Sequence, residues 1–468
     1  MDTSVSPWRG RDRAARTLSR RGFLRVLGAG IGLSMASGLL AACGQGAQPS
    51  PAAKSGEPTR PADAAQPAAT VAPAAASSSP VELTYWNAFS GPDGAFMKKM
   101  VDQYNDQNRG KVTVKLTVHP FAQYYEKIGA ALTSDGLPDV MVVHLDQLAT
   151  WAARGALQPL EGVVTQLGLK DDDFPAPVWK GREYQGKRYG IPLDVHPMTF
   201  YWNTRLLRDA GLSGPPTDAA SFEAAAQALT KGNVKGYIQP IVFPAGPIAE
   251  TLLAQHGGRV TDEKGEKATF NSAAGRTALE YLLKLKQAPF STPEVAPDAE
   301  ANAFKAGLNA MTLNGIWMIL GFKEAGAEFD AGPVPRFGPE ARTWAGSHNL
   351  TMPVHKKGED PARVRAAGAF VGWLTENSAT WAEGGQIPAR LTARNGAPFK
   401  QVLPQANVAP SVDTALFPPP VPGIADAYAQ FGEATGDVLA GKKDVATALA
   451  DAEKKADELL AQNREKFR

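Results

Sequence analysis

One cysteine, Cys43, is the only thiol in 468 residues. No intramolecular disulfide can form. Histidine is scarce too: six residues, at 119, 144, 196, 256, 348 and 355, none paired at i, i+3 or i, i+4. A helical metal site is not indicated, and no metal or cofactor is expected. G-x-S-x-G, H-E-x-x-H, a P-loop and a G-x-G-x-x-G followed by an acid are all missing. That removes the motif-borne hydrolases, zinc proteases and nucleotide-binding folds. No basic patch points to nucleic acid, and no tandem repeat points to a solenoid or propeller.

What is present begins with charge asymmetry. The first 42 residues carry seven arginines against two aspartates, so removing them turns the chain's net +2 into −3. Those arginines precede Val26–Ala42, an uncharged run of 17 residues ending Leu40-Ala41-Ala42-Cys43. A basic segment, a short apolar run and small residues at its end form a secretory signal. A membrane-spanning helix is the competing reading. It needs about 20 strongly apolar residues, and this run is diluted by glycines, Ser34 and Ser37. Ser19-Arg20-Arg21-Gly22-Phe23-Leu24-Arg25 looks like a twin-arginine export signal, and Leu40 to Cys43 looks like a lipobox. The second resemblance implies that Cys43 becomes a lipidated N-terminus, with no catalytic role.

Residues 44–79 are rich in Pro, Ala, Ser and Gln, with no aromatic residue and Val71 as the one large aliphatic. Such a segment has nothing to bury and reads as a tether reaching about 30–36 Å as a flexible coil. The 389 residues from Pro80 onward exceed the usual size of one core, so two lobes are expected.

Val81–Trp86 and Val112–Val118 alternate as strands, and Val140–Val143 reads as a buried parallel strand. Between them Phe96, Met100, Val101 and Tyr104, then Tyr125, Ile128 and Leu132, recur at helical spacing. Leu148–Arg154, Ala219–Leu229, Ala273–Lys286 and Ala362–Thr375 are further predicted helices, and Ala310–Leu313 a strand. Asp444–Arg468 is predicted to be amphipathic, with Val445, Leu449, Ala452, Ala456 and Leu459 on one face. Strand–helix alternation predicts βαβ units and a parallel sheet.

Three residue sets could carry chemistry. Tyr124-Tyr125 suggests phenolate capture of ferric iron, or one core and one surface tyrosine. Asp139, Asp146 and Asp194 are candidates for a glycosidase carboxylate pair. They read equally as a turn residue after Pro138, a helix cap and a loop acid. Among eight body tryptophans, Trp86, Trp317 and Trp344 adjoin loop signals. Their faces can stack on the C–H face of a sugar while Asp, Asn and His satisfy hydroxyls.

Several stretches carry a family resemblance. They are Leu83-Thr84-Tyr85-Trp86-Asn87 with Ser90-Gly91-Pro92, and Pro138-Asp139-Val140 through Asp146 to Gly155-Ala156-Leu157-Gln158-Pro159-Leu160. Tyr189-Gly190-Ile191-Pro192 with Tyr201-Trp202-Asn203, Ala310 to Trp317, and Gly385-Gln386-Ile387-Pro388-Ala389-Arg390 complete the set. Together they resemble the extracellular solute-binding proteins of ABC importers, in particular the carbohydrate-binding family that includes the maltodextrin- and glycerol-phosphate-binding proteins. The resemblance spans about 80–468. It implies an α/β, two-lobe periplasmic-binding-protein-like fold with inter-lobe crossings and a ligand cleft. Lobe 1 would be 80–192 plus 350–388, and lobe 2 193–349 plus 389–468. It implies ligand contacts at Trp86, Asn87, Ser90, Tyr125, Asp146, His196, Asn314, Trp317, Gly346, His348 and Tyr428. Trp317 matches a sugar-stacking tryptophan, Tyr428 falls near a second stacking aromatic, and His196 falls near a cleft acid. Val143 departs from the maltodextrin pattern, which has an aromatic there.

The function so implied is binding without turnover: capture of a carbohydrate and delivery to ABC permease subunits. The protein would be a monomer, lipid-anchored on the outer face of the cytoplasmic membrane. A surface glycan-degrading enzyme, and a binding protein for a phosphorylated polyol, peptide, metal or other non-sugar solute, are the alternatives. A phosphate ligand calls for an Arg or Lys fork, and none of the matched positions is basic.

Overall fold

A computed structural model of the chain describes residues 80–292 and 296–467. The expected export signal with Arg20 and Arg21, the expected lipidation site Cys43 and the expected tether 44–79 lie outside them. Among the described residues no helix is long and apolar enough to cross a membrane.

Two sheets organise the rest. In the first, Val81–Asn87 pairs parallel with Val112–Val118 along its whole length and with Val140–His144 on its other edge. The alternation of Val140–His144 divides its side chains between two layers. Val140 and Val142 join the core under the helices Gly94–Gln107 and Pro361–Glu376, while Met141 and Val143 join the one under Phe121–Ser134. Met97, Met100, Val101 and Tyr104 are the buried stripe of the first of these helices. Fully burying such side chains contributes about 1.5–3 kcal/mol each.

The parallel expectation holds for only part of this sheet. His348–Thr351 runs antiparallel to Val140–His144, and Ile191–Pro192 runs antiparallel to His348–Thr351. Both strands come from crossings between the sheets rather than from βαβ units, so nothing constrains them to be parallel.

The second sheet is built on Asp194–Asn203, a ten-residue strand buried along nearly its whole length. Asn309–Gly315, Phe329–Gly332, Thr343–Gly346 and Ile387–Pro388 all pair with it antiparallel. Pro197 is tolerated inside it because a proline gives up only its N–H; its carbonyl still accepts from Ile316. The helices Ala219–Leu229, Ala245–Gln255, Ala273–Gln287, Ile424–Leu439 and Val445–Lys466 close a second core over this sheet. Asp218, Ser272 and Asp444 cap three of them through backbone N–H groups. In the last helix Leu449 is buried as expected, Leu460 takes the buried place expected of Leu459, and Ala448 joins the stripe. The 100° turn per residue places Leu460 in line with Ala452 and Ala456.

The chain passes between the sheets at three places. Residues 192–194 and 346–348 run side by side in opposite directions, with Leu193 N–H bonded to the His348 carbonyl. Ile387–Pro388 lies beside the first passage, paired with Val195 and Asp194.

Candidate functional site

The first passage carries Pro192-Leu193-Asp194-Val195-His196. Asp194 is fully buried. Its Oδ1 accepts from the His348 backbone N–H at 3.1 Å and contacts His196 Nδ1 at 3.2 Å. Its Oδ2 contacts His348 Nδ1 at 2.7 Å and accepts from Trp381 Nε1 at 2.6 Å. Burial alone would push this carboxyl up, but the imidazoles of His348 and His196 overcome that and hold it well below the usual carboxylate range. Arg182, also fully buried, bonds Asn349 Oδ1 at 2.6 Å, Ser347 Oγ and the Val178 carbonyl. Burial pushes its guanidinium down to about 9. The crossing is therefore a buried ionic network in which the Asp194 carboxylate and the Arg182 guanidinium both have hydrogen-bond partners, the condition under which buried charge is tolerated.

His144, at the end of Val140–His144, stands directly opposite His348 in the strand pair. Its Nδ1 lies 2.7 Å from the Tyr125 hydroxyl, which also accepts from the His144 backbone N–H at 3.1 Å. Burial, then His348, depresses His196 to about 4; burial and both neighbouring imidazoles hold His144 well below its ordinary value. These two rings are neutral at physiological pH. His144, His196 and His348, scattered through the sequence, thus converge, with a nitrogen of each within 4.8 Å of the others.

Beside this cluster stands an aromatic wall. Trp317 lies 6.0 Å from His196 and 6.2 Å edge-on from Trp344, and Phe243 stacks on Trp317 at 5.8 Å and 22°. Phe243 is 60% exposed, unusual for a large apolar ring unless it meets a partner. Trp344, Tyr428 and Glu250 line one depression with Arg259 and Asp262. Two carboxyls that act on one another here have raised affinity for protons. Asp146, in the first turn of Leu145–Ala153, is pushed up to about 6 by burial. Glu250, on Ala245–Gln255, is pushed well up by burial and then by Asp146. Gly423 N–H bonds Thr150 Oγ1 at 2.8 Å, tying the helix bearing Asp146 to the start of Ile424–Leu439.

The depression lined by Trp344, Tyr428, Glu250 and Asp262, which shares Trp344 with the aromatic wall, is a small-molecule site in form. Comparison with known proteins decides the class. The sequence matches the family described as bacterial extracellular solute-binding protein over residues 99–407. The chain belongs to that family.

This solute-binding protein is 22% identical to the maltodextrin-binding protein MdxE of Bacillus subtilis, over 74% of this chain and 83% of the relative. It is 23% identical to a maltooligosaccharide ABC transporter solute-binding lipoprotein of Streptococcus pneumoniae, over 76% and 84%. Its structure is similar to that of the GacH receptor of Streptomyces glaucescens, solved unliganded and in complex with acarbose. The TM-score is 0.72 at 24% identity, covering 82% of this chain and 99% of that one. The fold is the two-lobed α/β fold of periplasmic binding proteins.

In this solute-binding protein His196, His348, Gly346, Trp317, Tyr125 and Asp146 gather around the crossings, or around residues that touch them. A Cβ at Gly346 would stand 2.1 Å from His196 Nε2, so only glycine fits there beside the ring. Trp86 is half-buried against His119 at 4.6 Å, and Ser90 is exposed. Asn87 is fully buried and accepts from Phe89 N–H at 3.1 Å. Asn314 is buried in its strand, donating to Glu300 at 3.3 Å and accepting from Gly315 N–H. Tyr428 lies with Trp344 and Glu250. Tyr124 is core, its hydroxyl between the Trp86 and Val142 carbonyls.

Two of the acids weighed for catalysis are already engaged. Asp139 is bound by Arg363 and by Thr84, pinning Pro361–Glu376 to the first sheet. Asp194 is a buried strand residue, a correction to its reading as a loop acid. The reason is tertiary: its donors His348 and Trp381 lie more than 150 residues away. Arg182, Glu250, Phe243 and Trp381 escaped the sequence reading. Only Phe243, an aromatic beside Pro240 and Pro244, left a local signal.

Proposed function

We propose that this protein captures a neutral carbohydrate outside the cytoplasmic membrane and hands it to an ABC permease, without turning it over. The observation that carries this reading is the wall of Trp317, Phe243 and Trp344 beside Asp146, Glu250 and the histidines, at the junction of two sheets in a member of this family. Sugar rings present C–H faces to aromatic rings and hydroxyls to carboxylates and imidazoles. The named ligands of the Bacillus and Streptomyces relatives, maltodextrin and acarbose, are of this chemical kind. With Asp139 and Asp194 committed to structural partners, a glycosidase pair would have to come from elsewhere, which favours binding over hydrolysis.

The lobes are 80–192 plus 350–388 and 193–349 plus 389–468, with the second boundary moved to 346–348 because His348–Thr351 pairs within the first sheet. The lobes close about the paired crossings, and a ligand favours closure by its extra affinity for that form. Trp86, Asn87, Ser90, Tyr125, Asp146, His196, Asn314, Trp317, Gly346, His348 and Tyr428 remain the proposed contact set. The Streptococcus relative is a lipoprotein by name, and the lipobox-like Leu40 to Cys43 supports a lipid anchor here; the protein acts as a monomer in this reading.

A thermal-shift panel of malto-oligosaccharides, other neutral sugars, polyols and sugar phosphates tests the reading. A true ligand at 100 times its Kd adds about 2.7 kcal/mol of stability. Stabilisation by sugar phosphates alone would refute it.

A further inference from the structure

We propose that His144, His196 and His348 form a binding site for one divalent transition-metal cation of the zinc class, and that the ion joins the two sheets. The three residues come from three strands. His144 and His348 end and begin facing strands of the first sheet; His196 belongs to the long strand of the second. A nitrogen of each lies within 4.8 Å of the others. A tetrahedral ion with Zn–N of 2.0–2.1 Å holds its nitrogens roughly 3.4 Å apart, so binding draws the three rings together.

The outer contacts are those a metal site needs. Ligating histidines are oriented by a partner on the other ring nitrogen, often a carboxylate. Here Asp194 engages Nδ1 of both His196 and His348, and the Tyr125 hydroxyl engages Nδ1 of His144. Nε2 of each ring is left for a ligand. Gly346 packs its backbone against the Nε2 side of His196, where a Cβ would stand 2.1 Å away, so any larger residue there would block that nitrogen. Phe89, Phe121 and Trp317 pack against the three rings at 4.8, 5.4 and 6.0 Å, an apolar surround that limits water. Three imidazoles suit Zn, Ni or Cu over Mg or Ca, which prefer oxygen ligands. Three protein ligands leave a coordination position for water or for an oxygen donor in the cleft.

This inference stands independently of the carbohydrate reading. The test uses the purified, untagged chain, stripped with a chelator and titrated with Co2+. One equivalent is expected to give visible absorption of a nitrogen-ligated ion, abolished when Zn2+ displaces it. His144, at a strand end and the least buried of the three, tolerates replacement best, and His144→Gln is expected to lose the absorption with its circular dichroism unchanged. Tyr125→Phe, which removes only the orienting hydroxyl, is expected to weaken binding about 10–100-fold. Absence of stoichiometric Co2+ absorption in the wild type overturns the proposal. So does unchanged affinity in either variant, and Tyr125→Phe decides alone if His144→Gln does not fold. Sugar titrations of the stripped and zinc-loaded chain separate the two readings. Sugar binding by a chain that takes no metal sinks this inference only, and metal binding without any sugar response sinks the other.

Discussion

Replacing Asp194 with asparagine keeps the size of the side chain and removes its charge. One amide oxygen can still accept from His196 and the His348 backbone. The amide nitrogen then faces Trp381 Nε1, which lies 2.6 Å from the present Oδ2 and can only donate. Trp381 is fully buried and has no water to turn to, so that lost bond costs about 1–3 kcal/mol. The buried Arg182 guanidinium loses a nearby countercharge as well. Removing one member of a buried ionic network costs about 3–5 kcal/mol in total, a large part of the 5–15 kcal/mol typical of a folded domain. Urea unfolding followed by tryptophan fluorescence at pH 7 measures it. The carboxyl is held below its ordinary value, so its contribution is present above about pH 4 and is lost as pH falls further. The gap between wild type and variant should therefore narrow in acid. A loss under about 1 kcal/mol at pH 7, or a gap independent of pH, would refute the network as described.

Asp146 shifts the other way. Its carboxyl is pushed up to about 6, so between about pH 4 and 6 the folded chain keeps a proton that the unfolded chain releases, and stability falls as pH rises through that window. Asp146→Asn, without that titration, should match wild type near pH 4 and exceed it at pH 7 by about 1–3 kcal/mol after screening; equal thermal midpoints at both pH values would contradict this. Gly346→Ala drives a Cβ to 2.1 Å from His196 Nε2 and should cost about 1–3 kcal/mol, read as a lower urea midpoint; an unchanged midpoint would mean the ring is free to move. In cells, the full chain should sediment with membranes and Cys43→Ala should not; a soluble wild type would end the lipid-anchor reading.

Local pattern made much of the fold legible. Val112–Val118 and Ala219–Leu229 are found at the bounds their periodicity sets, the first pairing along its whole length with Val81–Asn87 and the second burying Phe222, Ala225, Ala226 and Leu229 on one face. Asp194–Asn203 was opaque for the opposite reason. Asp194, His196 and Pro197 argue against a strand, and their burial is supported only by His348 and Trp381, far away in sequence. Antiparallel entry of His348–Thr351 was hidden likewise, since a crossing leaves no periodic trace. Among the candidate site residues, Trp317 and His348 are legible through motif likeness. Glu250 is not, because a carboxyl opposed to Asp146 across two helices looks like any exposed helical acid until the helices are placed.

The central claim is that the wall of Trp317, Phe243 and Trp344 receives a sugar. Isothermal titration calorimetry with maltotriose and longer malto-oligosaccharides tests it directly, with wild type, Trp317→Ala and the exposed Phe243→Ala compared. The expected result is saturable 1:1 binding by at least one oligosaccharide, weakened about 30-fold or more by Trp317→Ala, as loss of a stacking hot spot of about 2 kcal/mol requires. Phe243→Ala, with its fold intact, should weaken it in the same direction. No binding heat from any oligosaccharide, or equal affinity in all three proteins, would contradict the account.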